Sequence, residues 1–389
     1  MTEPVWAVGL MSGTSRDGID AALIKSDGEG RVEPAAFLSH PYHPEFRTAL
    51  ARATTQAAAL SASQESARET GTPPPIAEVE RALTERHAEA VRALLEQAGL
   101  AAEQVRVVGF HGHTVHHAPR QRRTCQIGDG ALLAALTGID VVADFRSADV
   151  AAGGEGAPFA PLYHRARAAR EQPPLAVLNL GGVGNVTWLG THGPNNGGKG
   201  DGAVGSAVIA FDTGPANALL DDLVLQRTGS AFDRDGALAA AGTVRMEIVQ
   251  SLLGHPYFAL PPPKSLDRDA FPAAALVAPL STEDAAATLA AFTVASVARA
   301  LEHFPEPPRR WLVTGGGRHN AVLMSQLRRT LGVPVEPVEA VGWNGDALEA
   351  EAFAYLALRS LAGQPLSLPT TTGVPEAMSG GCLFPAAGA

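Results

Sequence analysis

The stretch Val5-Trp6-Ala7-Val8-Gly9-Leu10-Met11-Ser12-Gly13-Thr14-Ser15-Arg16-Asp17-Gly18-Ile19-Asp20-Ala21-Ala22-Leu23-Ile24 sets the frame for the rest of the chain. Residues 5–11 and 19–24 are apolar runs that read as buried strands, and the small polar residues between them read as a tight turn. Gly13 and Gly18 let the backbone bend so that several N–H groups face one point, and Ser12, Thr14 and Ser15 add hydroxyl donors. A polyphosphate needs those groups. Asp17, a carboxylate inside an anion-binding turn, makes sense where a divalent cation accompanies the phosphates. The same residues would also suit an ordinary hairpin.

The pattern begins again downstream. Val177-Leu178-Asn179-Leu180 is a strand, Gly181-Gly182-Val183-Gly184-Asn185 a turn, and Val186-Thr187-Trp188-Leu189 a returning strand. The repeat predicts two related α/β domains, each offering a phosphate-binding hairpin. Pro173-Pro174 suits the boundary. The expected division is residues 1–170 and 171–361, with 362–389 packed back on the first domain and, as an alternative, the helix after Leu348 packed there too. Two other nucleotide motifs fail. Residues 193–199 match most of a P-loop, but Gly200 stands where Ser or Thr is required, and no G-x-G-x-x-G follows a strand. The Gly/Asn-rich run 191–205 reads as a mobile loop.

Between the two hairpins, residues 51–75 read as a helix fraying into a surface connection. Residues 76–98 place Val79, Leu83, Ala90, Val91 and Leu94 on a helical period that stops at Gly99. A strand over 105–110 leads into His111-Gly112-His113-Thr114-Val115-His116-His117. Four histidines invite a metal reading, but metal sites usually need carboxylate or cysteine partners as well. A polar loop contacting a hydroxylated substrate is the expectation. The next strand, 139–145, ends in Asp144, Arg146 and Asp149 before a glycine-rich run at 153–158. Ligands gather at such carboxyl ends of strands, although Asp144 and Arg146 could simply pair with each other.

In the second half, a strand over 208–211 ends at Asp212, beside a helix for which Asn217 is the expected N-cap. A carboxylate there is placed to act as a base near an anion. Ser281-Thr282-Glu283-Asp284 resembles a capping box opening a helix to His303. Gly315-Gly316-Gly317, between a strand and a helix starting at Asn320, would let a flat ring approach the backbone, so an adenine site is preferred to a simple cap.

Composition narrows the class. The chain has 389 residues, enough for two cores, with 46% apolar and 18% charged residues. Its formal net charge of −10, without a basic run, makes nucleic acid and anionic membranes poor partners. Cys125 and Cys382 give neither a disulfide framework nor a zinc spacing. The start lacks a secretory pattern, and Glu283 and Asp284 interrupt the most apolar long region, so a cytoplasmic protein is expected.

Taken in order, these motifs resemble those of the anhydro-N-acetylmuramic acid kinases, a family of the actin/Hsp70/hexokinase-like ATPase superfamily. The matching segments are residues 9–18, 111–115, 126–129, 143–146, 149–158, 179–182, 211–215, Lys264-Ser265 and 315–320. The resemblance implies two actin-like (ribonuclease H-like) α/β domains with an active-site cleft between them. It implies an enzyme that hydrolyses the 1,6-anhydro ring of 1,6-anhydro-N-acetylmuramic acid and phosphorylates O6, using ATP and Mg²⁺, in peptidoglycan recycling. ATP-binding residues would be Gly13, Thr14, Ser15, Arg16, Asp17, Gly18, Ile19, Asp20, Gly181, Gly182, Asn185, Gly315, Gly316, Gly317 and Asn320, with Asp17 also on the metal. Asp212 would be the base and Glu349 a second carboxylate near the sugar, which Thr114, Arg146 and Asp149 would contact. A homodimer is implied on the same ground. The sequence departs from the family at Arg16, His113, Gly130 and Glu155. Alternatives are a kinase for an ordinary hexose or amino sugar, and an actin-like ATPase without sugar chemistry.

Overall fold

The computed structural model describes residues 3–13, 15–63, 74–191, 207–266 and 270–386. It divides into two units, Met1–Arg167 with Ala347–Ala389, and Ala168–Asp346. The first carries strands β1 (Val5–Ser12), β2 (Gly18–Ser26), β3 (Val32–Pro41), β4 (Val105–Ala118), β5 (Arg123–Ile127) and β6 (Val141–Ala143). The second carries β7 (Leu175–Leu180), β8 (Val183–Gly190), β9 (Ala207–Pro215), β10 (Arg310–Thr314) and β11 (Val335–Pro337), and a last strand, β12 (Cys382–Phe384), belongs to the first.

The first sheet runs β12-β6-β4-β1-β2-β3, with β5 paired to β4, and the second runs β11-β10-β7-β8-β9. Setting β5 and β12 aside, each unit shows one path: three antiparallel strands in a meander, then two parallel additions beside the first strand. That is the ribonuclease H-like order, and the repeated hairpin in the sequence is its opening in both units.

Local chemistry explains the packing. In the first unit, helix Pro74–Ala98 buries Leu83, Val91 and Leu94 of its predicted face, together with Val8, Leu10, Leu23 and Val108 of the sheet. Helix Leu348–Leu361 covers β1 and β4 at unusually close range. A Cβ on Gly9 would lie 1.8 Å from the Ala350 carbonyl oxygen, and one on Gly109 would lie 2.0 Å from that of Phe353. Gly9 therefore serves backbone packing. In the second unit, helix Thr282–Arg299 carries Phe292 into a core with Trp188, Phe211 and Trp311, with the Ser281 hydroxyl accepting the Asp284 N–H at 3.1 Å as predicted. The helical stretch Thr282–His303 is long and apolar enough to cross a membrane, but most of it is buried in this core.

Four expectations change. β4 does not stop at Phe110 but continues to Ala118, because residues 113–118 pair with β5; the histidines lie on a strand and not in a loop. The helix at 348–361 belongs to the first unit, where Gly9 and Gly109 receive it, and not to the second. Asn217 is not an N-cap; it is the first residue of helix Asn217–Thr228, and its side chain donates to the Leu180 carbonyl at 2.8 Å. β9 runs on through Asp212 to Pro215. The P-loop-like run, the Gly/Asn-rich run beyond Thr191 and the connection at 64–73 lie outside the described residues.

Candidate functional site

The first hairpin turn is held by its neighbours. Gly18 pairs with Pro41, and a Cβ there would come 2.6 Å from the His40 carbonyl oxygen. The Tyr42 N–H donates to the Asp17 carbonyl at 2.9 Å, and the Arg16 N–H to that of Gly13 at 3.0 Å. Arg16 takes the left-handed φ of +56°, which a non-glycine residue adopts only under constraint. The Ser15 hydroxyl donates to Asp17 Oδ1 at 2.8 Å. Ser12, expected to offer its hydroxyl to phosphate, is 1% exposed and bonded inward, 2.8 Å from the Tyr42 hydroxyl and 3.1 Å from His113 Nδ1. Ile19 is fully buried, so only its backbone can meet a ligand. Thr14 lies outside the described residues. Asp17 is exposed and Asp20 half-buried. Asp17 closes the turn and Asp20 follows it on β2.

The histidine strand is explained by internal bonds. His111 Nδ1 donates to the Gly112 carbonyl at 3.0 Å, which leaves Nε2 to accept from Arg146 Nε and Nη2, each at 3.0 Å. That pattern requires a neutral ring. Burial, and then the Arg146 charge, hold His111 well below the usual 6.5. Burial, then the Arg16 charge, pushes His113 down to about 4 against its bond to Ser12. His117 Nδ1 lies 3.1 Å from the Thr124 hydroxyl. Among the described residues no group of three His, Cys, Asp or Glu stands close enough to hold a metal.

Asp144 Oδ1 accepts from the Ser147 N–H at 3.2 Å. The Arg146 guanidinium reaches His111 and the Gly156 carbonyl. Thr114 is half-buried on β4, with its hydroxyl accepting from Gln126 Nε2 at 3.2 Å. Asp149 is 2% exposed, and both its oxygens accept bonds from the chain: Oδ1 from the Gly156 N–H at 2.7 Å, Oδ2 from the Thr372 hydroxyl at 2.6 Å. Glu349 is exposed in the first turn of helix Leu348–Leu361. Two residues on, Glu351 is buried and accepts from the Tyr163 hydroxyl; burial pushes its carboxyl up. Sequence reading missed that pair.

In the second unit, strand register gathers the candidates. Thr314, Asn179, Asn185 and Asp212 stand opposite one another across β10, β7, β8 and β9. Directly opposed residues share a face, so this is a polar row at the edge of an apolar sheet. Asp212 is gripped from one segment: its N–H donates to the Lys264 carbonyl at 3.0 Å, its Oδ2 accepts the Leu266 N–H at 2.8 Å, and its own carbonyl accepts from the Tyr257 hydroxyl. The Lys264 ammonium lies 4.8 Å from the Tyr257 ring centre and 3.4 Å from His303 Nε2, and burial pushes it down to about 8.

The carbonyls of Gly181 and Gly182 accept the first N–H groups of helix Asn217–Thr228, at 2.9 to 3.1 Å. Gly315, at φ +75°, would place a Cβ 2.3 Å from Asn179 Oδ1, and one on Gly317 would lie 2.6 Å from Leu180 Cβ. Two of the three glycines are thus required by the second hairpin itself, whereas Gly316 is less crowded. Asn320 Oδ1 caps helix Ala321–Leu331, accepting from Val322 and Leu323 at 3.1 Å. The cap set aside in the sequence reading is present. Asn179 and Lys264, both inside quoted motifs, were given no role; only strand register and the grip on Asp212 reveal them.

Two units of ribonuclease H-like order, each opened by a glycine-bearing strand–turn–strand, define the actin- and hexokinase-like fold class. The family model for anhydro-N-acetylmuramic acid kinase matches residues 5–386. Curated relatives of that name include one from Paramagnetospirillum magneticum, 55% identical over 96% of this chain and 98% of that one. Another, from Rhodospirillum rubrum, is 53% identical over 98% and 95%. The chain belongs to the anhydro-N-acetylmuramic acid kinase family. Among solved structures, a ROK hexokinase from Thermus thermophilus covers 91% of this chain and 100% of its own at 17% identity, with a TM-score of 0.39. That superposition is too loose to carry an argument, and the fold rests on strand order.

Proposed function

We propose that this enzyme opens the 1,6-anhydro ring of 1,6-anhydro-N-acetylmuramic acid and transfers the γ-phosphoryl group of ATP to O6, giving N-acetylmuramic acid 6-phosphate and ADP. What carries the reading is the family match over nearly the whole chain, with Asp212 kept in a gripped position in the polar row. In the step itself, Asp212 takes a proton from water as the water oxygen bonds to C1. The C1–O6 bond breaks, and O6 takes the γ-phosphorus as ADP leaves. Oδ2, bonded to the Leu266 N–H, fixes the carboxylate so that it need not reorganise as the proton arrives.

The turn at Gly13 to Asp20, the Gly181-Gly182 turn with Asn185, and Gly315 to Gly317 with Asn320 serve ATP. Mg²⁺, when bound, would neutralise charge on the phosphates, and Asp17 with Asp20 would hold it. Arg146, oriented by His111, and Thr114 contact the sugar, with Glu349 as the second carboxylate near it. The setting is cell-wall recycling in the cytoplasm.

The test is mass spectrometry of the product formed from Mg-ATP and the anhydro-sugar in ¹⁸O-labelled water. A 6-phosphate carrying one label at C1 is expected. Phosphorylation without label would replace coupled hydrolysis by an ordinary sugar-kinase reaction, and an unmodified sugar would sink both.

A further inference from the structure

We propose that Thr372, in the segment after the last helix, is a positioning residue for the sugar site, acting through Asp149; this deepens the sugar-kinase reading above and rests on it. The argument starts at one peptide. Arg146 and Asp149 hold Gly156 from both sides, Arg146 Nη1 donating to its carbonyl and Asp149 Oδ1 accepting its N–H at 2.7 Å. Gly156 has φ +67°, and a Cβ there would lie 2.4 Å from Val150 Cγ2. The loop is therefore built around this glycine, and the guanidinium meant for the sugar is anchored on it.

Asp149 can do this only if its second oxygen is satisfied, because a buried carboxylate short of donors is costly. Thr372 supplies that donor, its hydroxyl 2.6 Å from Oδ2. The Thr372 carbonyl meanwhile accepts the Glu155 N–H at 2.6 Å, so one residue grips the loop twice. Val374 follows it against the loop: a Cβ on Gly154 would come 2.7 Å from Val374 Cγ1 and 2.2 Å from Asp149 Oδ1. Thr372 is fully buried and cannot touch a sugar itself. Losing its hydroxyl leaves Oδ2 short of a donor; the carboxylate turns away, the Gly156 N–H is released, and Arg146 loses a fixed anchor. Asp149, expected from the sequence to contact the sugar, is here assigned to hold the loop.

The experiment compares T372V with T372S on the full-length protein, reading steady-state kinetics and hydrogen exchange of residues 153–158. In T372V the KM for the anhydro-sugar should rise about tenfold, the scale of one lost charge-assisted hydrogen bond. The KM for ATP and kcat should stay within about twofold, and loop exchange should quicken; T372S, which keeps the hydroxyl, should match the parent protein. An unchanged sugar KM, an equal rise for both substrates, or T372S behaving like T372V would overturn the proposal. Should T372V fail to fold, T372C, whose thiol is a weak donor, takes its place with the same expectations. A parent protein inactive on the anhydro-sugar sinks the functional reading; loop exchange unchanged by the substitution overturns the latch whatever the substrate.

Discussion

The first and second units share a strand path but differ in where their polar side chains end. In the first, His87, His111, His113 and His164 are all buried, together with Asp149, Glu351 and Thr372. Their bonds run to the chain itself, as from His87 Nδ1 to the Leu83 carbonyl at 2.8 Å and from His111 to Arg146. In the second, an apolar core of Trp188, Phe211, Phe292 and Trp311 lies beneath a row in which Asn179, Asn185 and Asp212 are only half-buried. The difference teaches that one sheet path can be specialised twice. The first unit buries four histidines within its strands and helices, whereas the second, which also buries Asp233, Lys264, Arg318 and Asn320, keeps a row of polar side chains half-buried across its strands.

The largest test of that contrast is at Asp212. D212N keeps an acceptor for the Leu266 N–H but loses the base, so kcat should fall by roughly 10²–10⁴-fold, with ATP affinity and thermal stability near those of the parent. A near-normal rate would remove Asp212 from the mechanism and the second unit from its reactive role. Next comes Gly109 in the first unit. G109A drives a methyl against the Phe353 carbonyl and should cost about 3 kcal/mol of stability, at the upper end of overpacking. Urea unfolding reads it, and a loss below about 1 kcal/mol would mean the last helix is free to shift.

The smallest effect at working pH, and the sharpest between units, is acid sensitivity. Burial holds His87 and His164 down to about 4, and burial with the Arg16 charge does the same for His113. Below about pH 6.5 the unfolded chain binds protons that the folded chain refuses. The stability these rings contribute is therefore whole above pH 6.5 and is lost as pH falls through about 4, on the order of 3 kcal/mol for a fully buried ring. Hydrogen exchange at pH 7 and pH 5 should show the first unit loosening well before the second. Equal loosening would erase the distinction.

Much of this was readable in the chain. The two hairpins, the helix stop at Gly99 and the Ser281 cap depend on local residue order, which sequence displays. What escaped reading depends on distant partners. Nothing near His111 announces that β5 will extend its strand, nor that Arg146 will take its Nε2 as an acceptor. The glycines show this most. Gly9 reads only as part of a buried strand and Gly315 as room for a ring, and the structure adds that Gly9 makes way for the Ala350 backbone and Gly315 for Asn179. A small residue signals that something comes close, but not what. The family was legible chiefly because so many motifs recur in one order.

The chain enters the second unit after Arg167 and leaves it at Asp346, returning to finish the first with helix Leu348–Leu361 and β12. The unit begun first is thus completed last. During synthesis the segment Ala168–Asp346 emerges with all its own strands, while β1 and β4 still wait for the helix that covers Gly9 and Gly109. On the ribosome the second unit should become protease-resistant before the first, and nascent chains stalled near residue 346 would show the reverse order if this is wrong. Release of the finished polypeptide is then the moment at which the older half closes.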